Sequence, residues 1–235
     1  MADSTAKSVY LEGVRDGLPF VLMAGPFALL FGVVAVEAGL TVAQAMGFSV
    51  LVIAGASQFA ALQMMVENAG LPLVLLAALA VNLRMAMYSA ALVPGLGAAP
   101  LWQRAAAAYL LFDQTYVASA ARYDRAPALG LRERVAYFFG VATPITPTWV
   151  LMTLAGILGG SAIPETWALD FILPLTFLAM VAPMLRTLAH LAAAGVAVVL
   201  GLALAGLPSG MGLLIAAAAA MATGALVEGW QEGRG

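Results

Sequence analysis

Two ionisable side chains stand in stretches made otherwise of apolar and small residues: Arg84 in "AVNLRMAMYSAAL" and Asp113 in "AYLLFDQTYVASA". A charge held in hydrocarbon costs at least a few kcal/mol, so each marks a site for an ion, a proton or a charged substrate. Both fall near the middle of their stretches, and the stretches are consecutive, so an Arg84–Asp113 ion pair is expected. Tyr109, Asp113 and Tyr116 are expected to share one helical face at i, i+4 and i+7, and Arg84 and Tyr88 another. The same pair would also serve as a structural lock between two helices, with Asn82 and Ser89 as interhelical hydrogen-bonding groups.

These side chains need elements that bring them together at one depth, and two stretches look built to interrupt a helix. In "VIAGASQFAALQMM", Gly55, Ser57 and Gln58 place flexibility and polar atoms inside an apolar run. In "GVATPITPTWVLM", which contains Thr143, Pro144 and Pro147 each remove a backbone donor, and a break is expected there. Irregular backbone at membrane depth survives only where protein or a water-filled cavity satisfies it. Secondary transporters use such breaks to hold substrate, with half-helix N-termini facing a carboxylate. A milder kink is expected at Pro26.

The membrane setting follows from composition. The 235 residues are 63% hydrophobic and only 9% charged, and mean hydropathy is +1.00. A soluble domain carries about 25% charged residues, so the charges here cannot cover a water-facing surface. The fold class is an all-α, polytopic membrane helix bundle. The absence of cysteine excludes disulfides and thiolate chemistry, and one His and one Lys leave little for metal or amine chemistry. No cofactor or metal is expected, and a net charge of -2 offers no basic surface for nucleic acid.

About 20 apolar residues cross a bilayer. Candidate spans are Pro19–Glu37, Ala43–Val66, Leu71–Val93, Leu101–Arg122, Val135–Gly159, Thr166–Leu185, Thr187–Leu207 and Gly210–Val227, making about eight, or seven if the last is a short buried piece. Residues 1–18 lack the apolar core and cleavage site of a signal peptide. They read as an uncleaved tail with a short surface helix, residues 19–227 as one transmembrane domain, and 228–235 as a C-terminal tail. The loop "ARYDRAPALGLRERV" holds Arg122, Arg125, Arg132 and Arg134. Placing it in the cytoplasm with alternating spans also puts Lys7, Arg15, Arg186 and Arg234 inside, eight of the ten basic residues. Arg104 then lies near an outer span end, and both termini are cytoplasmic. The loop is also a natural midpoint, and "LPFVLMAGPFALLFG" and "ILPLTFLAMVAPMLR" hint at a two-half repeat. Asp170 reads as interfacial.

"AGASQF", then "NLRMAMYSAAL", a mid-span "FDQTY" and a later "ILPLTFLAMV" together resemble the AzlC family of branched-chain amino acid exporters, large subunits of two-component permeases. The likeness runs from "GVRDGLPF" through the span after "LDFILP". Members often carry Asp-Glu where this chain has Asp113-Gln114, and His where it has Met85. The resemblance implies export of Val, Leu, Ile and also Met, in the cytoplasmic inner membrane, with a small AzlD-type membrane partner; a higher oligomer stays open.

A zwitterion needs a cation for its carboxylate, an anion or carbonyls for its ammonium, and an apolar pocket. Arg84 or a half-helix N-terminus answers the first need and Asp113 the second, with Met64, Met65, Met85, Met87 and Phe59 for the third. Gly55, Ser57, Gln58, Asn82, Arg84, Tyr88, Tyr116 and Thr143 are therefore the expected substrate-binding residues. Asp113 is the expected proton carrier in an alternating-access cycle, and no catalytic residue is expected.

Two rivals stand beside a transporter. "GASQ" resembles the nucleophile motif of rhomboid proteases, which would make Ser57 the nucleophile and His190 its base; the pair must meet within about 3 Å. Otherwise His190 reads as structural, near the cytoplasmic boundary. An ion channel lined by the Arg–Asp pair would need a continuous water file and oligomeric symmetry.

Overall fold

A computed structural model describes residues 2–160, 185, 187–206 and 211–232. Asp170, Arg186 and the segment "ILPLTFLAMVAPM" lie outside them, and with them all but the last residue of the span Thr166–Leu185 and most of the second half of the repeat. Helix is the only regular structure among the described residues. The elements are α1 (Ala2–Glu37), α2 (Val42–Leu51), α3 (Gly55–Val66), α4 (Leu71–Leu96), α5 (Leu101–Tyr109), α6 (Asp113–Arg125), α7 (Leu131–Gly160), α8 (Leu188–Ala203) and α9 (Met211–Glu232). Three of the described helices, α1, α4 and α7, are long and apolar enough to cross a membrane. The chain is thus a polytopic helical membrane protein. It divides into two compact units, one of Met1–Ala60 with Ala78–Ile163, the other of Ala61–Ala77 with Pro164–Gly235.

The first unit is organised on α1 and α7, whose backbones touch along most of their length. Glycines make this approach possible. A Cβ on Gly17 would lie 2.6 Å from the Val141 carbonyl oxygen, while Cβ atoms on Gly13, Gly32, Gly140 and Gly156 would strike the carbonyls of Tyr137, Thr153, Tyr10 and Leu29. Gly13 and Gly17 form a G-x-x-x-G pair, a spacing of small residues that lets two helices approach by backbone contact. Gly13 meets Gly140 and Gly32 meets Gly156, so the two helices run parallel. Pro19 and Pro26 lie within α1, which runs unbroken through residue 18. Its 36 residues extend about 54 Å, well beyond a hydrocarbon core of about 30 Å. The polar start of the chain is therefore the projecting end of this helix.

The expected break at "TPITP" is absent, because α7 is continuous through Pro144 and Pro147. Threonine hydroxyls bond to carbonyls beside those of Gly140 and Thr143, which the prolines leave without an N–H. Thr143 Oγ1 donates to the Phe139 carbonyl at 2.7 Å, and Thr148 Oγ1 to that of Pro144 at 2.8 Å. Close packing on α1 supports the rest, since a proline inside a membrane helix is tolerated when neighbours re-satisfy the freed groups.

The other expected break is present, and a second lies where a single span was expected. α2 ends at Leu51 and α3 begins at Gly55; α5 ends at Tyr109 and α6 begins at Asp113. Each pair folds back as a hairpin. Phe48 and Phe59 both lie against Phe31 of α1, with ring centroids 6.3 and 5.5 Å away, while Phe59 also lies 4.9 Å from Phe27. Gly55, between them in sequence, faces Phe27 and Trp149 one turn deeper. α3 therefore returns towards the end from which α2 entered.

The second hairpin enters from the opposite end. Arg84 pairs with Asp113, Tyr88 with Tyr116 and Gly95 with Tyr123, so α4 and α6 run parallel, which two consecutive crossings could not do. Segments Ala43–Val66 and Leu101–Arg122, expected as single spans, each supply two half-length limbs. Tyr109 and Asp113 accordingly belong to different helices and share no face. Arg104 moves too. It lines a small recess with Val135, Phe138 and Phe139 near the start of α7, at the same end as Arg122, Arg132 and Arg134 and not at the opposite one.

Thr115, fully buried, ties off the second turn-back. Its hydroxyl lies 2.9 Å from the carbonyls of both Leu110 and Phe112 and accepts from the Phe112 N–H at 3.0 Å. Replacing Thr115 by Val keeps the shape and strands these backbone groups. A destabilisation of about 2 kcal/mol is expected, read as a lower unfolding midpoint in detergent; an unchanged midpoint would show that the tip does not depend on this hydroxyl.

At the basic end, Arg122 pairs with Glu12 at 2.8 Å, and the Tyr137 hydroxyl donates to Asp16 Oδ2 at 2.6 Å. The start of α1 and the 126–130 loop therefore share one end of the first unit. In the second unit, α8 and α9 pack on each other with Gly224 against Ala193. His190 sits in the first turn of α8, its backbone N–H bonded to the Thr187 hydroxyl at 3.2 Å.

Candidate functional site at the hairpin tips

The two turn-backs meet. The Tyr109 hydroxyl, at the end of α5, donates to the Val50 carbonyl, at the end of α2. Limb lengths put this meeting point at mid-depth: α2 has 10 residues and α6 has 13, about 15 and 20 Å, against about 30 Å of hydrocarbon. Ser49 fixes α2 further. Thr153 Oγ1 donates to the Trp149 carbonyl at 2.9 Å, so the Ser49 hydroxyl, 2.8 Å away, donates to Thr153.

Asp113 is the first residue of α6, where the positive end of the helix macrodipole favours a carboxylate. Its Oδ2 lies 3.1 Å from Arg84 Nη1, and its Oδ1 accepts from the Tyr88 hydroxyl at 3.0 Å. Tyr88 stacks on Tyr116 with centroids 4.1 Å apart and planes within 8°. Arg84 Nε and Asn82 Oδ1 are buried and have no hydrogen-bond partner among the described residues. The carboxylate thus has a cation, a phenol and a helix terminus on it, and the guanidinium has capacity to spare. Such a group can exchange one cationic partner for another or for a proton.

Across the tips stands the first turn of α3. The Ser57 hydroxyl donates to the Ala54 carbonyl at 2.9 Å, and that carbonyl also accepts the Ser57 and Gln58 N–H groups at 3.0 and 3.1 Å. Gln58 is fully buried, and neither its Oε1 nor its Nε2 has a partner among the described residues. Gly55 lies against Phe27 and Trp149, and no acidic residue occupies this first turn.

Of the expected residues, the structure gathers Arg84, Tyr88, Asp113 and Tyr116 into one cluster and Gly55, Ser57 and Gln58 into the α3 start. Asn82 lies two residues before Arg84 on α4. Thr143 stands apart: it accepts from the Tyr10 hydroxyl at 2.8 Å while bonding back along α7. Met87 is 67% exposed on α4, facing outward. Ser57 and His190 fall in different compact units. Sequence reasoning missed the latch from Tyr109 to Val50 and the tip role of Thr115. An acidic residue followed by Thr two positions on, just after "YLLF", is a helix-start signal that would have located the second turn-back.

A family model described as AzlC protein matches residues 19–163 of the chain. The inner membrane protein YgaZ of Escherichia coli (strain K12) is 28% identical over 182 residues, covering 73% of this chain and 71% of that protein. No solved structure matches.

Proposed function

This chain belongs to the AzlC family, and from that premise we propose that it is a proton-coupled secondary transporter exporting Val, Leu, Ile and Met across the cytoplasmic membrane. The observation that carries the reading is the Arg84–Asp113–Tyr88 cluster at the tip of one hairpin, latched to the tip of another. Opposed hairpins supply half-helix ends at mid-depth, the arrangement that holds charged substrates in membrane transporters.

The chemistry follows from one carboxylate. Asp113 ionised accepts the substrate ammonium; Asp113 protonated does not. Proton and substrate thus compete for one group, which couples movement of one to countermovement of the other. Arg84 holds the carboxylate in place between turnovers, and Tyr88 with its stacked partner Tyr116 fixes its orientation. The basic end of the first unit, with Arg15, Arg104, Arg122, Arg125, Arg132 and Arg134, is the cytoplasmic face by the positive-inside rule. A small AzlD-type subunit completes the working permease.

The test is efflux of radiolabelled Leu, Val, Ile and Met from loaded cells, with the chain expressed alone and with the small subunit. Efflux requiring the subunit, and quickened by acid outside, is the expected result. Folded protein in the membrane with no efflux of any of the four, in either case, would overturn the reading.

A further inference from the structure

We infer that the N-terminus of α3, with Gln58, is the subsite for the substrate's carboxylate, and that Arg84 instead remains the counter-ion of Asp113. This rests on the amino-acid reading above and assigns the two ends of the substrate to two different hairpins.

Three observations converge on α3. It is a 12-residue helix whose N-terminus lies at mid-depth with no acidic residue in its first turn. The Ala54 carbonyl engages the Ser57 and Gln58 amides, while the Gly55 and Ala56 N–H groups precede any acceptor within their own helix. A helix end of this kind, out of water, favours an anion.

Gln58 supplies the independent observation. It is fully buried, and both polar atoms of its amide are unpartnered among the described residues. An amide stranded in this way costs about 1–3 kcal/mol, so its retention calls for a partner that comes and goes. Helical side chains lean towards the N-terminus, which directs this amide back over its own first turn. Its NH₂ donates to a carboxylate there without adding charge.

The walls fit the rest of the substrate. Phe27 and Trp149 press on Gly55, and Phe59 packs on Phe27 with centroids 4.9 Å apart. On α7, Trp149 Nε1 and the Thr146 hydroxyl are also buried without partners among the described residues, one turn apart on the same helix. The surroundings are thus apolar rings with spare donors and no basic side chain on the α3 first turn. Arg84, by contrast, already has its carboxylate in Asp113.

The subsite is tested with molecules that carry one end of leucine each. The chain in lipid nanodiscs, with its small subunit, is titrated with L-leucine, 4-methylpentanoate and isopentylamine, following tryptophan fluorescence and heat. The same titrations are run on Gln58→Glu and Gln58→Met. Gln58→Glu should weaken leucine and 4-methylpentanoate at least tenfold while isopentylamine binds as before or tighter. Gln58→Met should weaken the two carboxylates with no gain for the amine.

Equal losses for all three ligands in a variant with unchanged melting, or no loss for any, would overturn the subsite. So would a wild-type chain that fails to bind 4-methylpentanoate. If wild type binds 4-methylpentanoate through Gln58 but not leucine, the carboxylate subsite stands and the amino-acid reading falls.

Discussion

Asp113→Asn is expected to lower export by about a hundredfold, the scale of loss when a positioned proton-transfer group is removed, while the protein still inserts and folds. The amide keeps the shape and can still accept from the Tyr88 hydroxyl, now 3.0 Å from Oδ1. It cannot ionise, so under the proposed mechanism it neither grips the substrate ammonium nor carries a proton. It also leaves Arg84 without its anion, and the Arg84 side chain is only 28% exposed. A stability loss of about 2 kcal/mol accompanies the substitution, below the range for fully buried pairs because both partners retain some exposure.

The double variant Arg84→Gln/Asp113→Asn separates the two effects. It should recover most of the stability, since no charge is stranded, and none of the transport. Efflux and unfolding midpoints, measured on the same membranes, check both. An Asp113→Asn protein that exports normally and keeps its response to the proton gradient would remove the carboxylate from the mechanism.

The largest effect on stability is expected at Gly156. Its Cβ position falls on the Leu29 carbonyl, so Gly156→Leu must drive α1 and α7 apart along their line of contact. Backbone cannot yield as a flexible side chain does, and the cost should exceed about 4 kcal/mol, enough to abolish folded protein. Gly159→Leu is the control on the same helix: among the described residues nothing lies within 4 Å of its Cβ position, and a change within about 0.5 kcal/mol is expected. Monodisperse elution from a sizing column distinguishes them. Folded, monodisperse Gly156→Leu protein would show that the α1–α7 contact is dispensable.

The membrane class was legible from composition, because 9% charged residues cannot clothe a water-soluble surface. The Arg84–Asp113 pair was legible too, since two opposite charges isolated in adjacent apolar stretches have few other ways to meet their desolvation cost. The interruption at "GASQ" showed in residue types that weaken helix and bring polar atoms into hydrocarbon. The "TPITP" expectation failed for a reason no local pattern contains. The helix is carried through its prolines by backbone contact with glycines of α1, more than a hundred residues away in sequence.

What only the tertiary structure decided is direction. An apolar stretch of 22 to 24 residues satisfies a bilayer either as one crossing or as two half-length limbs that return, and hydropathy is the same for both. The choice rests on contacts between distant segments: Gly55 and Phe59 on α1, and α6 running beside α4 in parallel register. Those contacts set the two hairpins tip to tip, gather Asp113, Arg84 and Tyr88 at one tip, and carry Arg104 to the basic end. The residue types, read alone, established which groups must be shielded from lipid. How the chain turns to shield them was settled by long-range packing, because a turn at mid-depth is stable only where other helices satisfy its backbone.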